Sequence, residues 1–280
     1  MVVLALAVLA GIATASGSRP SSGDRGAPPA GLPLQVAAAA DLEPALDEIV
    51  AGFRTAHPGP DIRVSYGSSG SFFAQISQGA PFDLFLSADI KYPRRLEASK
   101  LARSGSKFSY AAGRLVLWVP RESPLEVERL GLDALRDPRA RHIALANPAH
   151  APYGRAAEAA LRALGLYDDV RDRLVYGENV SQATQFVQSG SADAGLIALS
   201  AALSPRLAGR GRYWLVPESA YPRIVQTGVI LTRCPDEARA WSFREWMRGP
   251  EARGVLVRYG FTPIGTVPRR AGPDSARGGH

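Results

Sequence analysis

Residues 64–89 constrain the fold more than any other stretch, because they join two strand patterns through one short helix. Alternating apolar residues lead into the turn 67–70, whose sequence is Gly-Ser-Ser-Gly. Phe72 and Ile76 then recur at helical spacing, and Gly79 is placed to end the helix. A second apolar strand follows at once. This strand–helix–strand unit is typical of a parallel sheet covered by helices.

The same alternation of strands and helices returns in a second block, after a strand predicted over 110–119. The pattern therefore predicts an α/β protein of two lobes, each a mostly parallel sheet flanked by helices, joined by two hinge crossings. We expect residues 33–112 and 222–267 to form lobe I and residues 113–221 to form lobe II. The cleft between two such lobes is the natural ligand site.

The N-terminus indicates export. An apolar run over 2–12 ends in Ala-Thr-Ala, the pattern of a signal peptide over 1–15 that is too short to span a bilayer. No Lys or Arg precedes this run, so a buried N-terminal strand stays open as the alternative. Residues 16–32 read as a flexible linker, and residues 268–280 as a disordered tail. The expected location is periplasmic or otherwise extracytoplasmic.

Composition removes several classes of function. The 280 residues are 46% hydrophobic and 21% charged, and the net charge of +7 is scattered rather than collected into a basic patch with aromatics. This distribution argues against nucleic-acid binding. Cys234 is the only cysteine, which excludes an internal disulfide. The histidines show no metal-ligand spacing; they are His57, His142, His150 and His280.

Four strand-to-helix junctions carry the candidate chemistry; they are residues 39–41, 67–70, 152–154 and 178–181. Ligands of open α/β sheets bind at the carboxyl ends of strands, where helix N-termini offer spare N–H donors and partial positive charge. No Lys or Arg lies inside these motifs, so the predicted ligand is an anion held by neutral donors. Taken singly, each motif also fits a plain turn, a helix cap or core packing. Arg155 reaches either the ligand or solvent.

The sequence resembles the ModA family, the periplasmic molybdate-binding proteins of ABC transporters, which are type II substrate-binding proteins. The matching pieces recur in family order from residue 36 to residue 261. They are VAAAADLEPALDEI, YGSSGSFFAQISQGAPFDLFLSAD, YAAGRLVLWVP, ANPAHAPYG, ENVSQA and WMRGPEARGVLVRYGF. GAPFDLFLSAD is the most specific of them.

The resemblance implies that the chain is not an enzyme, needs no cofactor, and binds molybdate or tungstate as a monomer that serves membrane permease subunits. The metal is then reached only through its oxygens, with no direct protein ligand. The implied oxyanion-binding residues are Ala40, Asp41, Ser69, Tyr153 and Val180. Ala40 lacks the hydroxyl that many members have there, and Ala198 lacks the ligand tyrosine of one branch.

Asp41 needs a separate prediction, because a carboxylate aimed at a dianion in a dry cleft is strongly repulsive. We expect its side chain to cap its own helix, so that only its backbone N–H faces the ligand. A site made of donors alone should reject protonated phosphate, which must donate a proton to an acceptor. Cavity size decides against sulfate, and nothing in the sequence separates molybdate from tungstate.

Three other functions stay open. The chain could bind another tetrahedral oxyanion, such as sulfate, thiosulfate or phosphonate. A serine hydrolase using Ser68 or Ser69 is a second possibility, although the turn is not G-x-S-x-G and no motif places a His/Asp pair. The effector domain of a regulator is a third, against which the signal-like N-terminus argues.

Overall fold

The computed structural model describes residues 31–264, which form a mixed α/β protein with two β-sheets flanked by helices, as the strand–helix alternation predicts. The predicted signal peptide, nearly all of the linker and the tail lie outside these residues and stay predictions. None of the described helices is long and apolar enough to cross a membrane.

The strands alternate with helices along most of the chain. In chain order the strands are β1 (Leu34–Ala39), β2 (Ile62–Gly67), β3 (Leu84–Ser87), β4 (Phe108–Gly113), β5 (Leu115–Pro120), β6 (Ile143–Ala146), β7 (Leu174–Gly177), β8 (Ala194–Ala198), β9 (Gly211–Leu215), β10 (Ile224–Ile230) and β11 (Thr262–Pro263). The α-helices are α1 (Glu43–Ala56), α2 (Ser69–Ser77), α3 (Lys91–Ala98), α4 (Val127–Leu130), α5 (Pro152–Ala163), α6 (Tyr167–Val170), α7 (Val180–Gln188), α8 (Leu199–Ala202), α9 (Glu237–Arg248) and α10 (Pro250–Arg258).

The first sheet has six strands in the order β11-β4-β10-β3-β1-β2, and we call the part of the chain that carries it the first lobe. β1 pairs in parallel with β2 on one side and β3 on the other. Ala39 and Gly67 are register partners at the ends of β1 and β2, so the first two junctions lie side by side. β1 is almost wholly buried, as expected of a parallel strand covered on both faces.

α1 shows how the helices are held against this sheet. Leu46, Ile49 and Phe53 recur at helical spacing and are buried along one stripe. Phe53 meets Phe243 of α9 edge to face, with ring centroids 5.1 Å apart. Each such side chain contributes roughly 1.5–3 kcal/mol when fully buried. α1 therefore starts directly after the first junction and is fixed there by its apolar face.

The second sheet has five strands in the order β7-β6-β8-β5-β9, and we call the part that carries it the second lobe. β6 pairs in parallel with both β7 and β8, whereas β5 is antiparallel to β8 and β9. α5 and α7 begin beyond the carboxyl ends of β6 and β7, which places the third and fourth junctions at one edge of this sheet.

The prediction of a single strand over 110–119 is wrong. β4 ends at Gly113 and belongs to the first sheet, and β5 begins at Leu115 and belongs to the second. A side chain at position 113 would meet the Tyr153 hydroxyl, so the position where the chain leaves the first sheet requires glycine. The glycine therefore marks a crossing between sheets. The chain crosses back between β9 and β10. The lobe bounds 33–112 with 222–267, and 113–221, stay a prediction.

Candidate functional site

All four junctions border one small cavity between the two lobes. Its volume is about 10 Å³, room for about one water molecule. Every residue predicted from the sequence lines it, and each is at least 96% buried; these residues are Ala40, Asp41, Ser69, Tyr153 and Val180. Their role in binding a ligand stays a prediction.

Ser69 presents a hydroxyl hydrogen that has no acceptor among the described residues. Its side chain is fully buried, and Oγ accepts a hydrogen bond from the backbone N–H of Ala88 at 3.0 Å. The neighbouring Ser68 has a different task, because its Oγ accepts from the Ser71 N–H at 3.2 Å and so caps α2. The Ser69 hydroxyl is therefore oriented by the protein and still able to donate to an anion.

Helix N-termini supply the backbone donors. α2, α5 and α7 all start at residues that line the cavity, and their first-turn N–H groups have no partner within the helix. Val180 is the first residue of α7, where the Asn179 side chain caps the helix by accepting from the Gln182 N–H at 3.0 Å. Tyr153 follows Pro152, which has no N–H, in the first turn of α5. The positive ends of three helix dipoles therefore face the same cavity.

The prediction that Asp41 caps its own helix is wrong. Residues Ala40–Leu42 form a 3₁₀ turn before α1, and neither this turn nor α1 has a side-chain cap. The extra turn places Asp41 inside the turn rather than at the cap position. Its carboxyl turns inward instead, where Oδ2 accepts a hydrogen bond from Gln226 Nε2 at 2.5 Å.

Asp41 belongs to a buried polar cluster that sequence reasoning missed in part. The cluster consists of Asp41, Tyr110 of β4, Tyr153 of α5 and Gln226 of β10. Each member keeps one buried polar atom without a hydrogen-bond partner; these atoms are Asp41 Oδ1, Tyr110 Oη, Tyr153 Oη and Gln226 Oε1. A glutamine within the apolar run of β10 is the one sequence signal that could have indicated it. Buried polar atoms normally have partners, so this cluster points to a polar ligand or water.

Burial dominates the electrostatics of the cluster. It raises the pKa of Asp41 to about 7, against smaller lowering effects of Tyr153, the Asp41 backbone and Gln226. The pKa values of Tyr110 and Tyr153 are raised well above their usual range, first by burial and then by the nearby Asp41 carboxylate. Within residues 31–264, no group of three or more His, Cys, Asp or Glu side chains is placed to hold a metal ion.

Comparison with known proteins places the chain in a family. A family model described as bacterial extracellular solute-binding protein matches residues 34–262. The molybdate-binding protein ModA of Azotobacter vinelandii is 38% identical over 228 residues, which cover 81% of this chain and 89% of that protein. The ModA protein of Rhodobacter capsulatus is 37% identical over 232 residues, 83% of this chain and 88% of that protein. The chain belongs to the ModA family of bacterial extracellular solute-binding proteins.

The fold of this ModA-family chain is also that of a solved relative. The periplasmic molybdate-binding protein of Azotobacter vinelandii superposes with a TM-score of 0.77 at 35% identity, covering 82% of this chain and 98% of that one. The resemblance read from the sequence motifs is thereby confirmed, as is the two-lobe type II fold that it implied.

Contacts between the lobes enclose the site in this family member. The Gly70 N–H donates to the His150 backbone oxygen at 2.9 Å, and the Ser71 hydroxyl donates to Glu178 Oε1 at 3.2 Å. In addition, the Ser200 hydroxyl donates to the Asp41 backbone oxygen at 2.7 Å. The 3₁₀ turn of the first lobe is thus held in place by the second lobe.

Arg155 neither lines the cavity nor lies free in solvent. Its Nη2 is 2.8 Å from Asp89 Oδ2, and Nη1 donates to the Pro148 backbone oxygen at 3.3 Å. Arg155 starts from α5 of the second lobe, whereas Asp89 follows β3 of the first. The ion pair therefore joins the lobes, and its side chains are only 29% and 21% exposed.

Proposed function

We propose that this chain captures molybdate or tungstate between its two lobes and delivers it to the permease of an ABC importer. One observation carries the proposal: the buried Ser69 hydroxyl and three helix N-termini converge on one cavity that no Lys or Arg of residues 31–264 lines. Such a site stabilises an anion by oriented neutral donors. The names of the relatives, molybdate-binding proteins, agree with this ligand.

Each of the five predicted residues donates a hydrogen bond to the anion in this proposal. The Ser69 hydroxyl donates to one oxygen, and the backbone N–H groups of Ala40, Asp41, Tyr153 and Val180 donate to the others. The metal is reached only through its oxygens, so no side chain ligates it directly and no cofactor takes part. The protein binds and releases its ligand without chemistry, acts outside the cytoplasm as a monomer, and presents its closed form to the permease.

Two alternatives are distinguished by specific features. Another tetrahedral oxyanion, such as sulfate or thiosulfate, would use the same donors, so only competition can separate it. A serine hydrolase is disfavoured by the contacts of both serines. Ser69 Oγ bonds to a backbone N–H, and Ser68 Oγ bonds to Ser71, so within the described residues neither has a histidine base.

Thermal unfolding with a panel of anions tests the proposal. Molybdate and tungstate should each raise the unfolding temperature of the purified protein at micromolar concentration, because only a ligand of the folded state stabilises it. Sulfate, thiosulfate and phosphate should require far higher concentrations. A larger shift with sulfate or thiosulfate than with molybdate would transfer the assignment to that anion.

A further inference from the structure

The carboxyl group of Asp41 lines the cavity that is proposed to hold a negatively charged ligand. The Asp41 side chain is 2% exposed and lines the cavity together with the donors described above. Gln226 satisfies Oδ2, whereas Oδ1 is buried and, although the Tyr153 hydroxyl is near enough to lower the pKa of Asp41, no hydrogen bond of normal geometry reaches this oxygen. If Asp41 were ionised, this oxygen could only accept hydrogen bonds, and a fully deprotonated oxyanion has none to give.

No cation of the described residues neutralises this carboxyl. Within residues 31–264, Asp41 forms no ion pair, and the ionisable groups that act on its cluster are the neutral hydroxyls of Tyr110, Tyr153 and Tyr221. The elements packed against its turn are α1, α7 and α8, of which α7 and α8 carry no ionisable side chain. The charged groups of α1 and α5 are engaged elsewhere, in the pairs Glu43–Arg206, Asp47–Tyr66, Glu48–Arg258, Arg54–Asp61, Arg155–Asp89 and Glu158–Arg162. In the crossings between the sheets, Arg114 pairs with Glu218, and Arg223 is exposed to solvent.

We infer that Asp41 is protonated in the complex, so that a protein whose Asp41 is ionised before binding takes up one proton from solvent together with the oxyanion. This inference rests on the proposed function and adds a proton to it. A buffer acid gives up the proton, and an O–H bond forms at Asp41 Oδ1, the oxygen that Gln226 leaves free. The resulting neutral carboxyl donates its hydrogen to the oxyanion. A site that would contain one acceptor then consists of donors only.

The protonation state of Asp41 before binding sets the pH window. Burial raises the pKa of Asp41 to about 7, so the carboxyl already carries its proton below that pH and loses it above. A bound dianion raises this pKa further, since it disfavours the carboxylate. Proton uptake should therefore be near zero at pH 6 and approach one at pH 8 and above. By linkage, affinity should be flat below about pH 6 and fall by up to about tenfold per pH unit above 7.

Calorimetric titration with sodium molybdate tests the inference. At pH 8, binding heats measured in two buffers of different ionisation enthalpy give the number of protons taken up, and we expect a value near one for the wild-type protein. The Asp41→Asn variant keeps the shape and the Gln226 contact but cannot titrate, so its uptake should vanish. Its affinity should stay within twofold from pH 6 to pH 9. Glu48→Gln is the matched control, because Glu48 lies in the helix that follows Asp41 and pairs with Arg258 of α10 rather than across the lobes; it should behave as the wild type does.

The outcomes separate this inference from the proposed function. Tight molybdate binding with no proton uptake at pH 8 would overturn the role of Asp41 and leave the ligand assignment intact. Equal uptake in Asp41→Asn would also overturn it. No binding of molybdate at any pH would remove both. The number of protons that the wild-type protein takes up at pH 8 is measured without any variant. It therefore tests the inference even if Asp41→Asn fails to fold.

Discussion

Ser69 is the residue whose side chain most directly supports the proposed site. Its hydroxyl accepts from Ala88 and has its hydrogen left for a ligand, all in a fully buried position. Replacing it with alanine removes this donor from a closed polar site. We expect Ser69→Ala to weaken molybdate binding by about 1–3 kcal/mol, roughly five- to 150-fold, measured by calorimetry.

The matched control for Ser69 is Ser77→Ala in the same helix. The Ser77 hydroxyl bonds only to the Phe73 backbone oxygen at 2.8 Å and is exposed, so affinity should not change. Equal affinity of Ser69→Ala and the wild type would remove Ser69 from the site.

Asp41 should also leave a signature in stability. Its pKa rises from 3.8 when unfolded to about 7 in the folded protein, so the folded state holds the proton more tightly between these values. The free energy of unfolding should therefore lose a few kcal/mol from this group as pH rises from about 4 to 7, and no more above that. Asp41→Asn should gain stability relative to the wild type over the same window. Urea unfolding at pH 5, 6, 7 and 8 measures the difference, and a pH-independent difference would contradict the buried-carboxyl assignment.

The sequence predicts those site residues that lie at strand-to-helix junctions. Ala40, Ser69 and Val180 each stand where a strand pattern meets a helix pattern, and that position is visible in the sequence. Tyr110 and Gln226 lie inside strands, and Gln226 is 185 residues from Asp41 along the chain. A glutamine within an apolar strand is a local signal of a buried polar group, but it does not show which site the residue joins, because only folding brings β10 beside the first junction. The orientation of Asp41 was predicted wrongly for a related reason: its partner Gln226 is far away along the chain, whereas a helix cap is a local pattern.

At the scale of elements, the start of α2 determines how closely the lobes approach. A Cβ at Gly70 would lie 2.5 Å from the His150 backbone oxygen, which cannot move aside as a side chain can. Gly70→Ala should therefore hold the lobes apart and weaken molybdate binding by about 1–3 kcal/mol. Gly254→Ala is the control, since that helical glycine has open space around its Cβ position. Wild-type affinity in Gly70→Ala would show that this contact is not required for closure.

The ion pair between α5 and the loop after β3 should affect release of the ligand. It is partly exposed, so it contributes at most about 1 kcal/mol. We expect Arg155→Gln to speed molybdate dissociation about two- to fivefold in stopped-flow tryptophan fluorescence, and Asp89→Asn to add little further in the double variant. Arg162→Gln serves as control, because Arg162 pairs with Glu158 on its own helix. The same rate of molybdate dissociation in Arg155→Gln and Arg162→Gln would show that the Arg155–Asp89 ion pair does not slow release of the ligand.

At the scale of the whole molecule, the alternation of strands and helices was enough to predict the fold class and the two lobes. It was not enough to divide residues 108–120, because the apolar residues of β4 and β5 look alike in sequence while they belong to different sheets. Gly113 was the only local mark of the crossing. β9 was missed because only the four-residue α8 and a loop precede it, and its partly exposed sequence, Gly-Arg-Tyr-Trp-Leu, lacks the buried apolar run of the central strands.

The two lobes enclose the site only because each contributes junctions to the same cavity. The measurement that tests this most directly is a crystal structure of the molybdate complex with anomalous diffraction at a molybdenum absorption edge. We predict one anomalous peak between the lobes, with Ser69 Oγ and the Val180 nitrogen about 2.7–3.1 Å from oxygens of the anion. A peak elsewhere on the protein, with Ser69 and Val180 still facing each other across an unchanged cavity, would contradict it.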